Sequence, residues 1–332
     1  MKRRLASSAV NPIGLGCMSL SHAYGTPPAR DDAMRLLNQA LDLGYDHLDT
    51  AALYGFGANE TLVGEAIAHR RDEYFLASKC GMTGVDGKRV IDGRPETLRA
   101  TIDEALGRLR TDRIDLYYLH RWDKSVPVEE SIGELSRMVE AGKIGAIGLS
   151  EVSAATLRRA HAVHPIAAVQ NEYSLWSRNV ELGVLEATRE IGAALVAFSP
   201  VARGFLAGGV PSLDVLPEKD IRRAMPRFQP FNFGKNLALL DLVRETGATL
   251  GITPAQLCLQ WLLGRGEHVV VIPGTTSPAH LAENFATPTA PLPAEVVEAL
   301  DAAFANDKVA GHRYPRSTLP EIDTEDFEAV AA

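Results

Sequence analysis

The sequence predicts an α/β protein, a (β/α)8 or TIM barrel in which eight parallel strands are each followed by a helix. The main observation is an alternation, repeated eight times, between short apolar runs rich in β-branched residues and segments whose apolar residues recur at helical spacing. A second observation is size, because 332 residues with 46% hydrophobic residues suit one barrel with insertions. No linker composition or charge block marks a boundary, so we expect residues 1–332 to form a single domain.

The first half of the chain contains four strand–helix units. An N-terminal hairpin is expected in LASSAVNPIG, just before the first barrel strand. The predicted units are IGLG with a helix over 31–43, HLDT with 60–68, FLASK with 95–109, and IDLYYLH with 128–141. Gly44 lies just beyond the first helix, where a left-handed C-cap favours glycine.

The second half repeats this pattern and adds two segments outside it. The predicted units are AIGLS with a helix over 154–164, AAVQN with 180–191, ALVAFS with 254–263, and VVVIPG with 278–286. A long proline-containing loop, residues 208–235, follows the seventh strand, and loops of this length are usually lids or binding loops. A C-terminal helix over 294–305 precedes an irregular acidic tail. An open doubly wound sheet is the alternative, but GLGCMS after the first strand does not complete G-x-G-x-x-G.

Charge and cysteine content narrow the class of function. The net charge is −8 and no basic stripe occurs, so neither nucleic acid nor an anionic membrane is expected as a partner. The basic start MKRRLASS lacks the apolar stretch of a signal peptide, and no run of residues is apolar and long enough to span a bilayer. Three cysteines without metal-ligand spacing indicate a reduced, cytoplasmic chain. We expect a monomer or homo-oligomer that acts on a small molecule.

Four polar residues lie at or just beyond the C-terminal ends of three early strands. Asp49 and Tyr54 lie in the segment HLDTAALYG, Lys79 is the last residue of FLASK, and His120 is the last residue of IDLYYLH. We expect them to converge, because the active site of a parallel barrel lies at that end of its strands. A lysine ammonium about 4 Å away would lower the pKa of Tyr54 from its usual value of about 10 and make it a better proton donor to a carbonyl oxygen.

This arrangement also suggests roles for Asp49, Lys79 and His120. Asp49 would hold Lys79 charged and oriented, and His120 would donate to the substrate oxygen or steer the tyrosine proton. Each residue taken singly has a plain structural explanation in packing or turn capping. A metal-assisted hydrolase is a second possibility, because His47 lies two residues from Asp49, but no third or fourth metal ligand is evident.

The motifs around these residues resemble those of the aldo-keto reductases, whose catalytic tetrad is Asp, Tyr, Lys and His in this order. The matching segments are LDTAALYG, NETLVGEAI, SKCG and YYLHRWD. The resemblance covers essentially the whole chain and is closest to a bacterial and plant branch of general aldehyde reductases, through HRWD, GLSEVSAATLRRAHAVHPIAAVQNEYSLW and RRAMPRFQ. It implies NADPH-dependent reduction of an aldehyde or ketone to an alcohol. A regulatory, channel-subunit-like barrel that binds cofactor with little turnover is the alternative, and the intact tetrad argues against it.

A phosphate site is expected in the loops after the seventh and eighth strands. FSPVARGFLAG contains three glycines, and IPGTTSP leads into a helix whose free N–H groups suit an anion. The resemblance implies that the pyrophosphate is held by Ser199, Pro200, Val201, Gly204 and Leu206, and the adenosine phosphate by Pro273, Gly274, Thr275, Ser277, His280, Glu283 and Asn284. It also implies that Ser150 and Gln170 hold the nicotinamide carboxamide and that Tyr173 stacks on the nicotinamide ring.

Two further expectations concern specificity. Many relatives carry lysine or arginine where this chain has Gly274, Thr276 or His280, and those bases pair with the 2′-phosphate of NADP. NADPH is still expected, because it is the usual cofactor of the family. The missing bases leave the use of NADH open. The apolar walls for the substrate are expected from Leu53, Phe56, Trp122 and Trp176. For Arg222, Arg223 and Arg227 three roles are open: binding an anionic substrate, contacting the cofactor, or lying on a solvated helix.

Overall fold

The core of the protein is an eight-stranded parallel sheet. The computed structural model describes residues 2–21, 23–85 and 87–327. The eight strands follow chain order from one edge to the other: β3 (Leu15–Gly16), β4 (His47–Asp49), β5 (Phe75–Cys80), β8 (Leu116–Leu119), β9 (Ile147–Ser150), β10 (Ile166–Glu172), β11 (Ala194–Phe198) and β12 (Val269–Val271). Two antiparallel hairpins complete the strands: β1 (Arg3–Leu5) with β2 (Ser8–Val10), and β6 (Met82–Val85) with β7 (Lys88–Ile91).

The first and last barrel strands meet and close the sheet. Parallel bridges join Ile13 to Val271 and Gly16 to Gly274. The Gly14 N–H donates to the Val271 carbonyl at 2.9 Å, and the Val271 N–H donates to the Pro12 carbonyl at 2.9 Å. The predicted closed barrel and N-terminal hairpin are thus confirmed, and the open-sheet alternative is excluded.

Helices surround the barrel. They are α1 (Arg30–Leu43), α2 (Ala58–Ile67), α3 (Pro95–Leu109), α4 (Val128–Glu140), α5 (Ala154–Val163), α6 (Val184–Glu190), α7 (Pro230–Leu250), α8 (Pro254–Leu263), α9 (Pro278–Phe285) and α10 (Ala294–Ala303). The helix predicted over 180–191 is shorter than expected, because the non-helical φ of −178° at Gly183 separates α6 from a short 3-10 turn at Asn179–Leu182. No helix in the described part of the chain is long and apolar enough to cross a bilayer.

Helix α7 and the β6–β7 hairpin are the elements that the sequence pattern did not indicate. Residues 230–235, predicted as loop, form the first turns of α7, with Pro230 at the first helical position. Apolar residues occur all around α7 rather than on one stripe, so its sequence has little amphipathic signal. The loop is therefore shorter than predicted, and its remaining part contains three short 3-10 turns.

The barrel interior is apolar at one end and polar at the other. Phe75, Leu116 and Val196 fill the lower part, and Leu5 and Val10 of the N-terminal hairpin pack beneath them. Larger apolar side chains fill the layer between strands and helices. Asp49, Lys79 and Gln170 lie toward the C-terminal strand ends, so a site can form there. His47, at the start of β4, is buried beside Phe75 at the other end.

Tyr118 lies inside the barrel across the backbone of Gly148. A Cβ added at Gly148 would come within 2.3 Å of the Tyr118 ring. We expect Gly148→Ala to lower the free energy of unfolding by about 1–3 kcal/mol, because the ring has to move within a packed interior. Urea denaturation, read as the transition midpoint and slope, measures this change.

Gly107→Ala is the matched control for this substitution. Gly107 lies in α3, and an added Cβ there meets nothing within 4 Å. Alanine in a helix interior is expected to raise the free energy of unfolding by about 0.5–1 kcal/mol. A Gly148→Ala protein as stable as the wild type would contradict the close packing of Tyr118.

Candidate active site

Lys79 stands at the centre of the site, at the end of β5. It is 0% exposed and forms an ion pair with Asp49, which is 2% exposed. Its ammonium group also donates to the Thr50 carbonyl at 2.8 Å and to the Tyr54 hydroxyl at 3.2 Å. A lysine has three N–H donors, so these partners use all of them. With two donors committed to Asp49 and Thr50, the third is directed at Tyr54.

Two side chains complete this arrangement. Gln170, near the end of β10, donates from Nε2 to the second carboxylate oxygen of Asp49 at 2.7 Å. The His120 ring meets the Tyr54 ring edge-on, with 5.8 Å between their centroids. The structure therefore brings Asp49, Tyr54, Lys79 and His120 together, as predicted. Gln170 is hydrogen-bonded to this group through Asp49.

The pKa of Tyr54 shifts in the direction opposite to our expectation. Burial raises the pKa of the Tyr54 hydroxyl above its usual value, and this effect outweighs the opposing charges of Lys79 and Arg121. The pKa of Lys79 is also raised: burial opposes this, but Asp49 and Tyr54 favour the ammonium form. Tyr54 therefore holds its proton, and the charge of Lys79 is available to stabilise a tyrosinate once that proton leaves.

The His120 imidazole is neutral. Burial is the largest cause that brings its pKa well below 6.5, and the charges of Arg121, Lys79 and Arg89 add to this effect. Its Nδ1 is buried and has no hydrogen-bond partner among the described residues. A neutral imidazole in this position can donate a hydrogen bond from its N–H to a carbonyl oxygen but does not act as a charged acid.

A cavity of about 830 Å³ opens over this group at the C-terminal ends of the strands. Many of the predicted site residues line it: Asp49, Leu53, Tyr54, His120, Ser150, Gln170, Ser199, Pro200, Val201, Gly204, Gly274, Thr275, His280, Glu283 and Asn284. Lys79 lies behind Asp49 and Tyr54, within reach of both. The cavity thus brings together the tetrad and much of the predicted cofactor site.

Tyr173 is outside this cavity, which corrects its predicted stacking position. It is fully buried, its hydroxyl donates to Glu181 at 2.7 Å, and its ring packs edge-on against Trp261. Gln170 lines the cavity, and Tyr173 lies three positions further along the chain. Because successive side chains of a strand alternate between its two faces, Tyr173 points away from the cavity. Tyr173 therefore belongs to the layer between the barrel and the helices.

Three of the four predicted apolar wall residues also lie elsewhere. Trp176 is buried and stacked on Phe205 with 4.8 Å between ring centroids. The Trp122 indole donates to the Val126 carbonyl at 2.9 Å and carries the Arg159 guanidinium over its ring. Phe56 is 54% exposed. The apolar lining comes instead from Leu53 together with residues without a distinctive local pattern: Met82, Phe198, Met225 and Ile272.

Leu206, Pro273 and Ser277 shape the cavity from behind its surface. Leu206 is buried in the core. The Pro273 carbonyl accepts from the Gly16 N–H at 3.3 Å, across the closure of the barrel. Ser277 is the N-cap of α9, and its hydroxyl accepts from the His280 N–H at 3.4 Å. These three residues support the loops that line the cavity, and their contacts with a cofactor stay predictions.

The cavity wall near α9 fits a phosphate group. Gly16 and Gly274 face each other so closely that a Cβ on Gly274 would come within 2.9 Å of the Gly16 carbonyl oxygen. Beside them, the buried Ser19 hydroxyl has no hydrogen-bond partner among the described residues. Exposed backbone, an unpartnered hydroxyl and the N-terminus of α9 form a suitable cradle for an anion. Sequence reasoning missed Ser19, because nothing in MSLSH distinguishes it from a loop serine.

Arg203 is a second cavity residue that the sequence predictions did not include. It donates to Glu172 at 2.8 Å, to the Tyr24 hydroxyl at 3.2 Å and to the Tyr314 hydroxyl at 3.1 Å. It thereby joins the loop after β11 to the loop after β3 and to the C-terminal tail. The one signal in the sequence for Arg203 was its position just before Gly204. Nothing in the sequence indicated its contact with Tyr314, which is 111 residues away.

The three loop arginines separate in the structure. Arg222 lines the cavity and pairs with Asp220 at 2.7 Å. Arg223 donates to the Leu216 carbonyl at 2.6 Å and lies outside the cavity lining. Arg227 is buried, and its guanidinium donates to the Ser177 hydroxyl at 2.7 Å. Among these three, Arg222 alone lines the cavity.

Taken together, the closed parallel barrel, the buried Lys–Asp pair beside a tyrosine and the phosphate cradle define a barrel oxidoreductase. The model of the aldo/keto reductase family matches residues 12–305, and the chain belongs to this family. The aldo-keto reductase yakc [NADP(+)] of Schizosaccharomyces pombe is 42% identical over 320 residues, which cover 94% of each protein.

Solved structures show the same architecture. The glycerol dehydrogenase AKR11B4 from Gluconobacter oxydans superposes with a TM-score of 0.84 at 29% identity, covering 92% of this chain and 95% of that one. An aldo/keto reductase from Klebsiella pneumoniae, in complex with NADP and acetate, gives a TM-score of 0.71 at 26% identity, covering 95% and 98%. These similarities agree with the predicted family and barrel.

The pKa of His120 leads to a test by titration. Because its folded-state pKa lies well below 6.5, we expect its imidazole to remain neutral as the pH is lowered through 6.5 in nitrogen-detected NMR, with its signals assigned by their loss in His120→Asn. The unfolded chain binds this proton near pH 6.5, so the free energy of unfolding should decline as the pH falls below about 6.5. His120→Asn should reduce that decline. Titration of His120 near pH 6.5 in the folded protein would contradict the assignment.

Proposed function

We propose that this protein reduces aldehydes or ketones to alcohols with NADPH and that Tyr54 is the proton donor. The observation that carries the proposal is the hydrogen bond from the buried Lys79 ammonium to the Tyr54 hydroxyl, 3.2 Å long, at the floor of the cavity. The His120 ring beside Tyr54 gives a carbonyl oxygen a second polar neighbour. Such an oxygen would accept hydrogen bonds from Tyr54 and His120.

The proton transfer follows from the contacts of Lys79. As negative charge develops on the substrate oxygen, Tyr54 donates its proton to it. The charge of Lys79 stabilises the resulting tyrosinate, since burial alone disfavours the anion. Asp49 keeps Lys79 charged and in place, and Gln170 holds the other oxygen of that carboxylate. Aldehydes and ketones are the substrates whose reduction needs such a proton.

A nicotinamide cofactor, when bound, supplies the hydride. Support for NADPH comes from the yeast relative, which is named for NADP(+), and from the Klebsiella structure in complex with NADP. In this chain the residues that would hold the cofactor line the cavity that opens over the tetrad. They are Ser199, Pro200, Val201 and Gly204 for the pyrophosphate, Ser19, Gly274, Thr275, His280, Glu283 and Asn284 for the adenosine phosphate, and Ser150 and Gln170 for the carboxamide.

Replacement of the Tyr54 hydroxyl tests the proton donor. We expect Tyr54→Phe to lower kcat for NADPH-dependent reduction of 4-nitrobenzaldehyde by about 10²- to 10⁴-fold, because the acid is removed. NADPH affinity, measured by fluorescence titration, should survive. Tyr117→Phe is the matched control: Tyr117 is fully buried, its hydroxyl has no partner among the described residues, and it lies outside the cavity lining. Unchanged turnover in Tyr54→Phe would rule out the proposed role.

His280 provides a test of cofactor choice. It is exposed at the N-terminal turn of α9 and lines the cavity. We expect His280→Ala to raise the KM for NADPH by about 3- to 10-fold through loss of a hydrogen bond to the 2′-phosphate, with a smaller change for NADH. His164→Ala, at a partly exposed histidine after α5 that lies outside the cavity lining, is the control. Equal changes for both cofactors would show that His280 does not contact the 2′-phosphate.

A further inference from the structure

Among the described residues, four arginines line the cavity, and they differ in how their charges are balanced. Three of them are paired with carboxylates: Arg89 with Glu321 at 2.5 Å, Arg203 with Glu172 at 2.8 Å, and Arg222 with Asp220 at 2.7 Å. Arg121 is the exception. In the described part of the chain it has no ion pair, and it donates to two neutral acceptors, the His120 carbonyl at 2.7 Å and the Ser150 hydroxyl at 3.2 Å.

Arg121 also has unused hydrogen-bonding capacity. Both of its hydrogen bonds come from Nη1, and its Nε is buried without a partner in the described structure. A guanidinium group has five N–H donors in a planar fork. A partly buried cation whose acceptors are all neutral has no compensating negative charge, so it favours an anionic ligand that enters the cavity.

The position of Arg121 relates it to the reacting group. It directly follows His120 at the end of β8 and reaches Ser150 at the end of β9. Its charge lowers the pKa of both Tyr54 and His120, so the guanidinium lies within electrostatic range of both side chains. A molecule whose carbonyl oxygen is at Tyr54 and His120 therefore brings its neighbouring atoms close to Arg121.

We propose, building on the proposed function, that Arg121 binds a carboxylate of the substrate and that the enzyme prefers carbonyl compounds carrying such an anionic group. A carboxylate offers two acceptors that match the guanidinium fork and supplies the charge that the described residues do not. The paired arginines of the cavity lack this freedom, because Glu321, Glu172 and Asp220 already neutralise them.

The test compares substrates that differ in charge but keep the same aldehyde. The pairs are 3-carboxybenzaldehyde with its methyl ester and 4-carboxybenzaldehyde with its methyl ester, each reduced with NADPH. We expect the wild type to have a higher kcat/KM for the acid of at least one pair. Arg121→Met should reduce the acid-to-ester ratio of that pair by about 10- to 100-fold, because a charge-assisted contact is lost. Arg121→Lys should retain part of the ratio, since it keeps the charge without the fork.

The double variant Arg89→Met/Glu321→Gln is the matched control. Arg89 also lines the cavity, but Glu321 neutralises it, so removing both charges together should leave the acid-to-ester ratio near the wild-type value. Circular dichroism and NADPH titration of each variant report folding and cofactor binding. If Arg121→Met does not fold, the ratio in Arg121→Lys decides.

Each other outcome has a definite meaning. A wild-type ratio near one, or a ratio unchanged by Arg121→Met, overturns the carboxylate site. An equal loss on acid and ester together with weaker NADPH binding also overturns it, because Arg121 would then hold the cofactor. If the wild type reduces none of the aldehydes, the proposed function itself fails. Reduction of acids and esters with equal efficiency leaves that function standing and removes only the inference about Arg121.

Discussion

The buried ion pair between Lys79 and Asp49 is the interaction on which the rest of the site depends. Removing two charges from water is costly, and a buried pair is tolerated when its remaining hydrogen bonds are satisfied. Here every donor of Lys79 is used, and Gln170 takes the second carboxylate oxygen of Asp49. Lys79 and Asp49 lie on the adjacent strands β5 and β4, and Tyr54 follows β4, so the pairing of these two strands brings the three side chains together. Gln170 comes from β10, so its bond to Asp49 forms only when the sheet curls into a barrel.

The apolar residues that stabilise the barrel and the polar residues of the site lie toward opposite ends of the barrel axis. Apolar side chains such as Phe75, Leu116 and Val196 fill one end, with the N-terminal hairpin beneath them. Titratable groups occupy the other end, where burial raises the pKa of Tyr54 and lowers that of His120. Both shifts preserve the neutral forms, while Lys79 remains charged. The site thus presents an acid that releases its proton to a strong acceptor, such as an oxygen gaining negative charge.

A buried ion pair and a buried hydrogen bond fasten the C-terminal tail over the same end. Arg203 links Glu172 to Tyr314, and Arg313 pairs with Glu151 at 2.8 Å. The tail therefore contributes to the cavity wall, although it lies far from the barrel strands in sequence. These long-range contacts shape the cavity wall, while Arg121 has no carboxylate partner among the described residues.

By itself the sequence determined the eight strand–helix units, the family and the strand-end positions of Asp49, Tyr54, Lys79 and His120. These depend on local periodicity and on the rule that the carboxyl ends of parallel strands meet. The tertiary structure decided what local patterns do not contain: the burial that raises the pKa of Tyr54, the outward face of Tyr173, and the helix α7 that lacks an apolar stripe. It also decided that Arg203 is neutralised by Glu172 and Arg89 by Glu321, because such ion pairs depend on which residues the fold brings close together in space.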